Sequence, residues 1–242
     1  MRAMDPAAYY DAFSRHYDRR RRVGYHALID DLEAELVARF APAGRVLEAG
    51  CGTGQILERL GRAGVRAVGV DLSSGMLQQA RARARELVRG DLTALPFGDG
   101  RFDAVCCFKV LAHVPDIGRA MAELGRLVRP GGFLIVEFYN PHSVRGLLWR
   151  LKRPGRIAGD VDEHDISVRF DAPAAARALL PSDFEPVTAR GIRLFTPFAQ
   201  ALRLPLVGPL LARGERALAD GVLARFGSFY CLVAQRTLAR SA

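Results

Sequence analysis

Three glycines and two aspartates of the chain are spaced as in a binding site for a nucleoside. Gly50, Gly52 and Gly54 follow a short apolar segment. Glycine lets a backbone turn sharply and contact a ligand without interference from a side chain. Asp71 comes 21 residues after Gly50, where a carboxylate can accept hydrogen bonds from both hydroxyl groups of a ribose. Asp91 follows a third apolar segment and can accept a hydrogen bond from an adenine amino group.

The glycine loop also distinguishes two classes of nucleoside ligand. A dinucleotide-binding loop has the pattern GxGxxG, and its third glycine supports pyrophosphate binding and close packing of the helix. Here the pattern is GxGxG, and Gln55 stands where that third glycine would be. A ligand with a nucleoside but no pyrophosphate fits better. An NAD-dependent oxidoreductase is therefore kept only as an alternative.

The elements that must position these residues alternate between strand and helix. Five apolar runs predict strands, at 45–49, 66–70, 86–89, 102–108 and 133–138. Strands that are apolar throughout are typical of a parallel sheet covered on both faces, and right-handed crossovers make it doubly wound. Ser73 or Ser74 should begin a helix that reaches residue 85, and Asp116 should begin another. Ligands of such a sheet bind at the carboxyl ends of its strands, where the glycine loop and both aspartates lie.

The flanking segments predict one domain over residues 1–242, because no linker interrupts the chain. Residues 1–40 should form an N-terminal helical lid, 45–138 the ligand-binding core, and 139–242 the substrate-side helices and last two strands. Apolar spacing places those strands at 184–194 and 228–235. A basic helix is expected at 141–156, and a helical segment at 197–225 with breaks at its prolines.

Composition narrows the class of protein. Half of the 242 residues are hydrophobic and a quarter are charged, which excludes a disordered, collagen-like or coiled-coil chain. The formal net charge is +9, and all but two of the basic residues are arginine. Charge informs solubility and association rather than fold. The four cysteines form no CxxC pair, so reduced thiols and a cytoplasmic location are expected. Neither a membrane span nor a signal-peptide core is apparent.

The ordered motifs resemble those of class I S-adenosylmethionine-dependent methyltransferases, in particular the small-molecule, type 11-like subgroup. Residues 46–54 (VLEAGCGTG) look like motif I and residues 68–73 (VGVDLS) like motif II. Three later segments resemble the adenine-binding segment and the next two signatures: 90–97 (GDLTALPF), 111–114 (LAHV) and 129–132 (RPGG). Residues 9–18 (YYDAFSRHYD) are similar to the N-terminal lid of the subgroup.

The resemblance implies an α/β fold and a cofactor. The fold would be a doubly wound, seven-stranded, mostly parallel Rossmann-like sheet with an antiparallel last strand, a helical N-terminal lid and a late helical insertion. The cofactor would be S-adenosylmethionine. The cofactor-binding residues carried over by matched position are Tyr17, Glu48, Gly50, Cys51, Gly52, Gly54, Asp71, Leu72, Met76, Asp91, Leu92 and Phe108. Glu48 would order the loop, Phe108 would lie near the methionine ammonium, and Tyr17 would cover the cofactor.

Methyl transfer from a sulfonium is a displacement that requires alignment and exclusion of water. A hydroxyl or amine acceptor can also need a base, and no dedicated motif marks one. His142 and His113 are the candidate bases, with Tyr139 and Asn140 as positioning groups near the end of the fifth predicted strand. A His142→Ala substitution is predicted to lose turnover and keep cofactor affinity. No metal site is expected.

These observations predict an enzyme that methylates a small hydrophobic or aromatic molecule, with oxygen as the preferred acceptor atom. An RNA methyltransferase, and a nucleoside-binding regulatory protein without catalysis, are the further alternatives. The charge alone does not predict a nucleic-acid partner, since the arginines at 81–85 are typical of a solvated helix face. The apolar segment at 192–211, interleaved with arginine, could contact anionic lipid. A monomer or a homodimer is expected.

Overall fold

The apolar runs of the sequence form the strands of one mixed sheet in the computed structural model. The structure describes residues 9–11, 14, 17–18, 24–143, 146–147, 156–158, 161–162, 168–196, 202 and 204–238. In chain order the strands are β1 (Arg45–Ala49), β2 (Arg66–Asp71), β3 (Leu87–Arg89), β4 (Phe102–Cys107), β5 (Val128–Tyr139), β6 (Arg156–Ala158), β7 (Val161–Asp162), β8 (Phe184–Ile192) and β9 (Phe229–Arg236).

Seven of these strands are ordered β3-β2-β1-β4-β5-β9-β8, and β6 pairs with β7 in a separate ribbon. Strand β9 is antiparallel to both of its neighbours, β5 and β8. The pairs from β3 through β5 are parallel. This confirms the predicted doubly wound sheet with an antiparallel last strand. Strand β1 lies between β2 and β4 and is parallel to both, so the loops after β1, β2 and β4 meet at one edge of the sheet.

Helices cover both faces of the sheet, as the continuously apolar strands predicted. They are α1 (Tyr25–Phe40), α2 (Gln55–Arg62), α3 (Ser74–Ala80), α4 (Ile117–Leu127), α5 (Pro173–Ala178) and α6 (Val207–Leu218), with short 3-10 helices at Leu111–His113 and Val222–Phe226. Adjacent residues of β1 face opposite sides: Leu47 packs in the core that contains α4, and Val46 in the core that contains α1 and α2. Both residues are fully buried.

Side-chain caps begin two of the helices at the predicted residues. The Ser73 hydroxyl accepts a hydrogen bond from Met76 N at 3.1 Å, and Asp116 accepts one from Arg119 N at 3.0 Å. Helix α3 ends at Ala80 rather than at residue 85. The prediction that the arginines at 81–85 form a solvated helix face is therefore wrong. The Arg83 side chain is only 8% exposed because it reaches back to the lid and to the glycine loop.

The last third departs from the sequence prediction in two places. Residues 141–143 form a turn, 146–147 are helical and Arg156 begins β6, so the expected basic helix does not fill 141–156. Most of that segment lies outside the described residues. Pro209 does not interrupt the late helix but lies in the first turn of α6. Its missing N–H has no helical partner to lose there. The start of the predicted helix, at 197–201, also falls outside the described part of the chain.

Candidate active site

The glycine loop connects β1 to α2 in a conformation that requires glycine. Gly50, Gly52 and Gly54 have φ angles of +75°, +52° and +78°. A Cβ at Gly50 would lie 2.3 Å from a methyl carbon of Val110, whereas a Cβ at Gly52 would meet no atom within 4 Å. The loop therefore packs closely on one side and leaves open space on the other.

Asp71, at the end of β2, fixes this loop through its carboxylate. It accepts a hydrogen bond from Gly52 N at 2.8 Å and another from Ser73 N at 2.9 Å. Burial raises the pKa of Asp71, and the two backbone hydrogen bonds oppose that rise. A carboxylate has about four lone-pair sites, so two acceptor positions are left for a ligand.

A cavity of about 650 Å³ opens at the carboxyl ends of the strands. The predicted cofactor-binding residues that line it are Tyr17, Gly50, Gly52, Asp71, Leu72, Met76, Asp91, Leu92 and Phe108. This volume lies within the range of small-molecule sites. The structure thus brings residues of four separate loops and the N-terminal lid around one cavity.

Three predicted cofactor-binding residues do not line the cavity. Glu48 is buried, accepts a hydrogen bond from the backbone of Leu57 in α2, and has its pKa raised well above the ordinary value by burial. Cys51 is buried against Leu57 and Leu77. Gly54 begins α2. Glu48 and Cys51 border a smaller adjoining pocket of about 30 Å³.

The structure adds lining residues that were not predicted to bind the cofactor. They are Tyr10, Arg89, Thr93, Lys109, Val110, Val114, Pro115 and Asp116. Tyr10, Thr93 and Val114 lie within the segments 9–18, 90–97 and 111–114 that carry the resemblance, so those segments were the available signal. Tyr10 is largely buried, and this burial raises the pKa of its phenol.

Two aspartates of the N-terminal segment attach it to the cavity rim. Asp11 accepts hydrogen bonds from the Ser73 hydroxyl and from Gly75 N, the second at 2.8 Å. Asp18 accepts hydrogen bonds from Thr53 Oγ1 at 2.7 Å and Arg83 Nη2 at 2.6 Å. The segment that carries Tyr10 and Tyr17 is therefore fastened at two points.

The candidate catalytic residues occupy different places. His113 lines the cavity. Tyr139 lies behind it, with ring centroids 6.0 Å apart in an edge-to-face arrangement, and packs on Phe229. His142 is exposed and does not border the cavity, and its backbone N–H donates to Asn140 Oδ1 at 3.0 Å.

Asn140 has a structural role. Its amide donates to two backbone carbonyls of the segment before β9, those of Arg225 and Gly227, at 2.7 and 3.0 Å. All four cysteines are buried and none is in a disulfide. Among the described residues, no group of histidine, cysteine and acidic side chains is arranged to hold a metal ion. No helix in this part of the chain is long and apolar enough to cross a membrane.

A family model described as a methyltransferase domain matches residues 47–136, which contain the glycine loop, Asp71, Asp91 and His113. Residues 47–136 are therefore similar to the methyltransferase domains that the motifs resemble, the type 11 group of the class I S-adenosylmethionine-dependent enzymes. The family and the fold imply S-adenosylmethionine as the cofactor of this methyltransferase domain, which favours it over NAD.

Two curated relatives match the same region. A demethylmenaquinone methyltransferase of Renibacterium salmoninarum is 42% identical over 103 residues, which cover 41% of this chain and 44% of that protein. A ubiquinone biosynthesis O-methyltransferase of Alkalilimnicola ehrlichii is 39% identical over 103 residues, covering 40% and 42%. These matches span less than half the length of either relative.

A solved structure shares the fold over nearly the whole chain. The S-adenosylmethionine-dependent methyltransferase of Thermotoga maritima, described as a possible histamine N-methyltransferase, superimposes with a TM-score of 0.71 at 23% identity. The match covers 94% of this chain and 98% of that one. Likeness at this identity shows the fold, and a fold by itself hosts many activities.

The site of this methyltransferase domain suits the cofactor on its own geometry. The open space at Gly52 allows a ligand to approach the backbone, and Asp71 offers a carboxylate beside it. Leu72, Met76 and Leu92 supply apolar surface for an adenine ring, with Asp91 nearby as an acceptor for its amino group. The residues present therefore fit the nucleoside part of this cofactor.

Proposed function

We propose that the chain transfers a methyl group from S-adenosylmethionine to a small apolar or aromatic acceptor, at an oxygen atom. The observation that carries the proposal is a single cavity that combines the cofactor loop, the two aspartates and a histidine. Its volume of about 650 Å³ leaves room for a second molecule beside a nucleoside.

The apolar part of the lining supports an apolar acceptor. Tyr10, Val110, Val114 and Pro115 contribute mainly carbon atoms to it. Such a surface favours a flat or hydrophobic molecule over a strongly charged one. The printed names of the two curated relatives refer to the quinones menaquinone and ubiquinone. A phenolic precursor of a quinone is accordingly the acceptor class that we propose.

The residues of the chain would align the acceptor and accept its proton. The bound cofactor supplies an electrophilic methyl group on its sulfonium. Tyr10 and Tyr17 line the cavity and would exclude water from the reacting atoms. His113 is the base that we propose, because it lines the cavity and is held by Tyr139. It would take the hydroxyl proton of the acceptor as the oxygen attacks the methyl carbon.

Calorimetric titration with S-adenosylhomocysteine, with NAD as the comparison, tests the cofactor first. Micromolar binding of S-adenosylhomocysteine and none of NAD is the expected result. NAD binding in its place would favour the oxidoreductase alternative. A screen of phenolic acceptors with labelled S-adenosylmethionine then tests methyl transfer, and complete absence of incorporation into every phenol would contradict the acceptor class.

Two histidine variants identify the base once a substrate is known. His113→Ala is expected to lower kcat by about 100-fold or more, the usual contribution of a general base, while S-adenosylhomocysteine binding changes little. His142→Ala tests the other candidate from the sequence, whose exposed position outside the cavity makes a large effect on kcat unexpected. If only His142→Ala lowers kcat, the assignment to His113 is wrong.

A further inference from the structure

A second, smaller pocket adjoins the cofactor cavity. Its volume is about 30 Å³, and five residues border both spaces: Tyr17, Gly50, Gly52, Phe108 and Lys109. The resemblance implies that the methionine end of the cofactor lies near these residues. The small pocket therefore extends the cavity at the amino-acid end of the cofactor rather than at the adenine end.

Two buried carboxylates border this pocket. Asp30 comes from α1 and Glu48 from β1, and they are 1% and 3% exposed. Within the described part of the chain, three buried carboxylate oxygens have no hydrogen-bond partner. Two of them, Asp30 Oδ2 and Glu48 Oε2, belong to residues that border the pocket, and the third, Glu33 Oε1, does not. Arg59 Nη1 is 3.9 Å from Asp30 Oδ2, which is too far for a hydrogen bond. A buried carboxylate oxygen without a hydrogen-bond donor costs free energy. A ligand that donates to Asp30 Oδ2 and Glu48 Oε2 would remove that cost.

Lys109 holds the other oxygen of Asp30. Its Nζ lies 2.8 Å from Asp30 Oδ1 and 2.7 Å from Glu33 Oε2, so one ammonium group is shared by two carboxylates of α1. The Lys109 backbone is left-handed, with φ of +60°, and its N–H donates to Glu137 Oε1 at 3.2 Å. This turn directs the side chain toward α1 and fixes Asp30 at the pocket.

The cluster has more buried acid than base. Asp30, Glu33, Glu48 and Glu137 are all at least 97% buried, and the Lys109 ammonium group contacts two of them, Asp30 and Glu33. Burial raises the pKa of Glu33 and of Glu137. Arg59 is engaged by Asp31 at 2.6 Å. A further cationic donor at the pocket would compensate the excess of buried carboxyl groups.

We infer that Asp30, together with Glu48, binds the α-ammonium group of the cofactor's amino-acid end. The inference rests on the proposed function only through the identity of the cofactor. An ammonium group has three N–H donors and approximates a water molecule in size, and a space of about 30 Å³ accommodates one such group. Asp30 lies between the lid-like segment 9–18 and the matched region 47–136, outside every segment that carries the resemblance.

The alternative occupant of the pocket is a water molecule. Water could donate to the same two oxygens and would leave cofactor binding independent of Asp30. The two occupants differ in what removal of the amino-acid end does to the ligand. 5′-Deoxy-5′-methylthioadenosine keeps the adenosine and the sulfur of S-adenosylhomocysteine but has no ammonium group, so it provides the comparison.

The experiment is calorimetric binding of both ligands to the full chain and two variants. Asp30→Asn is expected to weaken S-adenosylhomocysteine binding by about tenfold or more, as for loss of a hydrogen bond between charged groups. Binding of methylthioadenosine should change less than about twofold by the same reasoning. Glu33→Gln is the matched control, because Glu33 contacts the same lysine but does not border the pocket. It should affect both ligands equally.

Several outcomes would overturn the inference. Equal weakening of the two ligands by Asp30→Asn would make Asp30 a structural residue, and no weakening of either would indicate water in the pocket. A selective effect of Glu33→Gln as large as that of Asp30→Asn would assign the effect to the Lys109 cluster as a whole. If the wild-type chain binds neither ligand, the cofactor of the proposed function fails too.

A ligand-side measurement keeps the inference testable if Asp30→Asn does not fold. The wild-type chain is titrated with the deamino analogue of S-adenosylhomocysteine, which keeps the carboxylate and lacks only the ammonium group. The analogue should bind about tenfold more weakly or worse. Binding within about twofold of S-adenosylhomocysteine would overturn the inference, whereas weaker binding of the analogue beside normal methylthioadenosine binding would support it.

Discussion

At the residue scale, Asp71 serves both the glycine loop and the ligand. It accepts hydrogen bonds from Gly52 N and Ser73 N, and it borders the cavity. An asparagine at this position keeps the shape but loses the charge and replaces two acceptor sites with donors. Asp71→Asn is therefore expected to weaken S-adenosylhomocysteine binding by about 10–100-fold, measured by calorimetry.

Asp103 provides the comparison for this substitution. It lies near the start of β4, at the opposite edge of the sheet, and accepts a hydrogen bond from Arg45 N at 2.7 Å. Asp103→Asn removes a charge of the same kind far from the cavity, so S-adenosylhomocysteine binding should be unchanged. Equal losses of affinity in the two variants would mean that net charge, rather than the Asp71 contacts, controls binding.

At the element scale, the attachment of the N-terminal segment depends on the ion pair between Asp18 and Arg83. Arg83 also donates to the backbone oxygen of Thr53 at 2.8 Å, which links the segment, the glycine loop and the turn after α3. Arg83→Gln should destabilise the chain by about 1–3 kcal/mol in denaturant unfolding. Arg62→Gln, which breaks an exposed pair with Glu58, should change stability by less than about 1 kcal/mol.

The same contact predicts a pH dependence. Burial raises the pKa of Asp18, but hydrogen bonds from Thr53, Gln55 and Arg83 outweigh it, so the pKa lies below its ordinary value. A lowered pKa stabilises the contact at neutral pH, and this stabilisation is lost as the pH falls through the folded-state pKa. Hydrogen exchange in residues 9–18, corrected for intrinsic rates, should stay constant from about pH 7 to 5 and rise below about pH 4. A rise near neutral pH would contradict this origin.

The sequence prediction of a lipid contact falls partly on the outer face of α6 and the turn before it. Leu206 and Leu210 are 82% and 66% exposed and lie on the same side as Arg213, whereas Glu215 faces inward and accepts hydrogen bonds from the backbone of 194–196. We propose that this face binds anionic membrane surfaces, since apolar residues beside arginine suit the lipid interface.

Vesicle sedimentation tests the proposal for α6. The wild-type chain should pellet with phosphatidylglycerol vesicles at low salt and less at high salt, because screening weakens the arginine contribution. A double substitution, Leu206→Ser with Leu210→Ser, should reduce pelleting. Val187→Ser removes an exposed apolar residue from β8 instead and should not. Failure of the wild-type chain to pellet at low salt would exclude this contact.

At the scale of the whole molecule, β9 attaches the edge strand β8 to the five parallel strands of the sheet. It pairs with β5 on one side and β8 on the other, and Leu232 at its centre is fully buried. Leu232→Ala should reduce the free energy of unfolding by about 2–5 kcal/mol, through lost burial and the cavity left behind. Leu238→Ala, at a position that is 72% exposed, should change it by less than about 0.5 kcal/mol.

Several arginines form ion pairs within the protein. Arg126 contacts Asp99 and Glu123, Arg190 contacts Asp220, and Arg83 contacts Asp18. These pairs use acidic groups as well as arginines, so the formal net charge of +9 remains, and the absence of a nucleic-acid partner stays a prediction. Filter binding with tRNA tests the RNA alternative, for which steeply salt-dependent binding would be the support.

Much of the fold and the cofactor loop could be predicted because the relevant interactions are local in sequence. Apolar runs set the strands, the serine and aspartate caps began α3 and α4, and the glycines marked the turn after β1. Each of these depends on residues within a few positions of one another. The end of α3 was missed because Arg83 contacts Asp18, 65 residues away, and no local rule contains that contact.

The sequence by itself indicated the strands of the core, the glycine loop proposed to hold a nucleoside and the family that the motifs resemble, since periodicity, turn chemistry and motif spacing can be read along the chain. Only the tertiary structure decided which distant groups meet. Lys109 reaches Asp30 across 79 positions, and His113 rather than His142 borders the cavity. Such encounters depend on where the crossovers place each helix against the sheet, and the long-range packing that fixes those places has no counterpart in local sequence pattern.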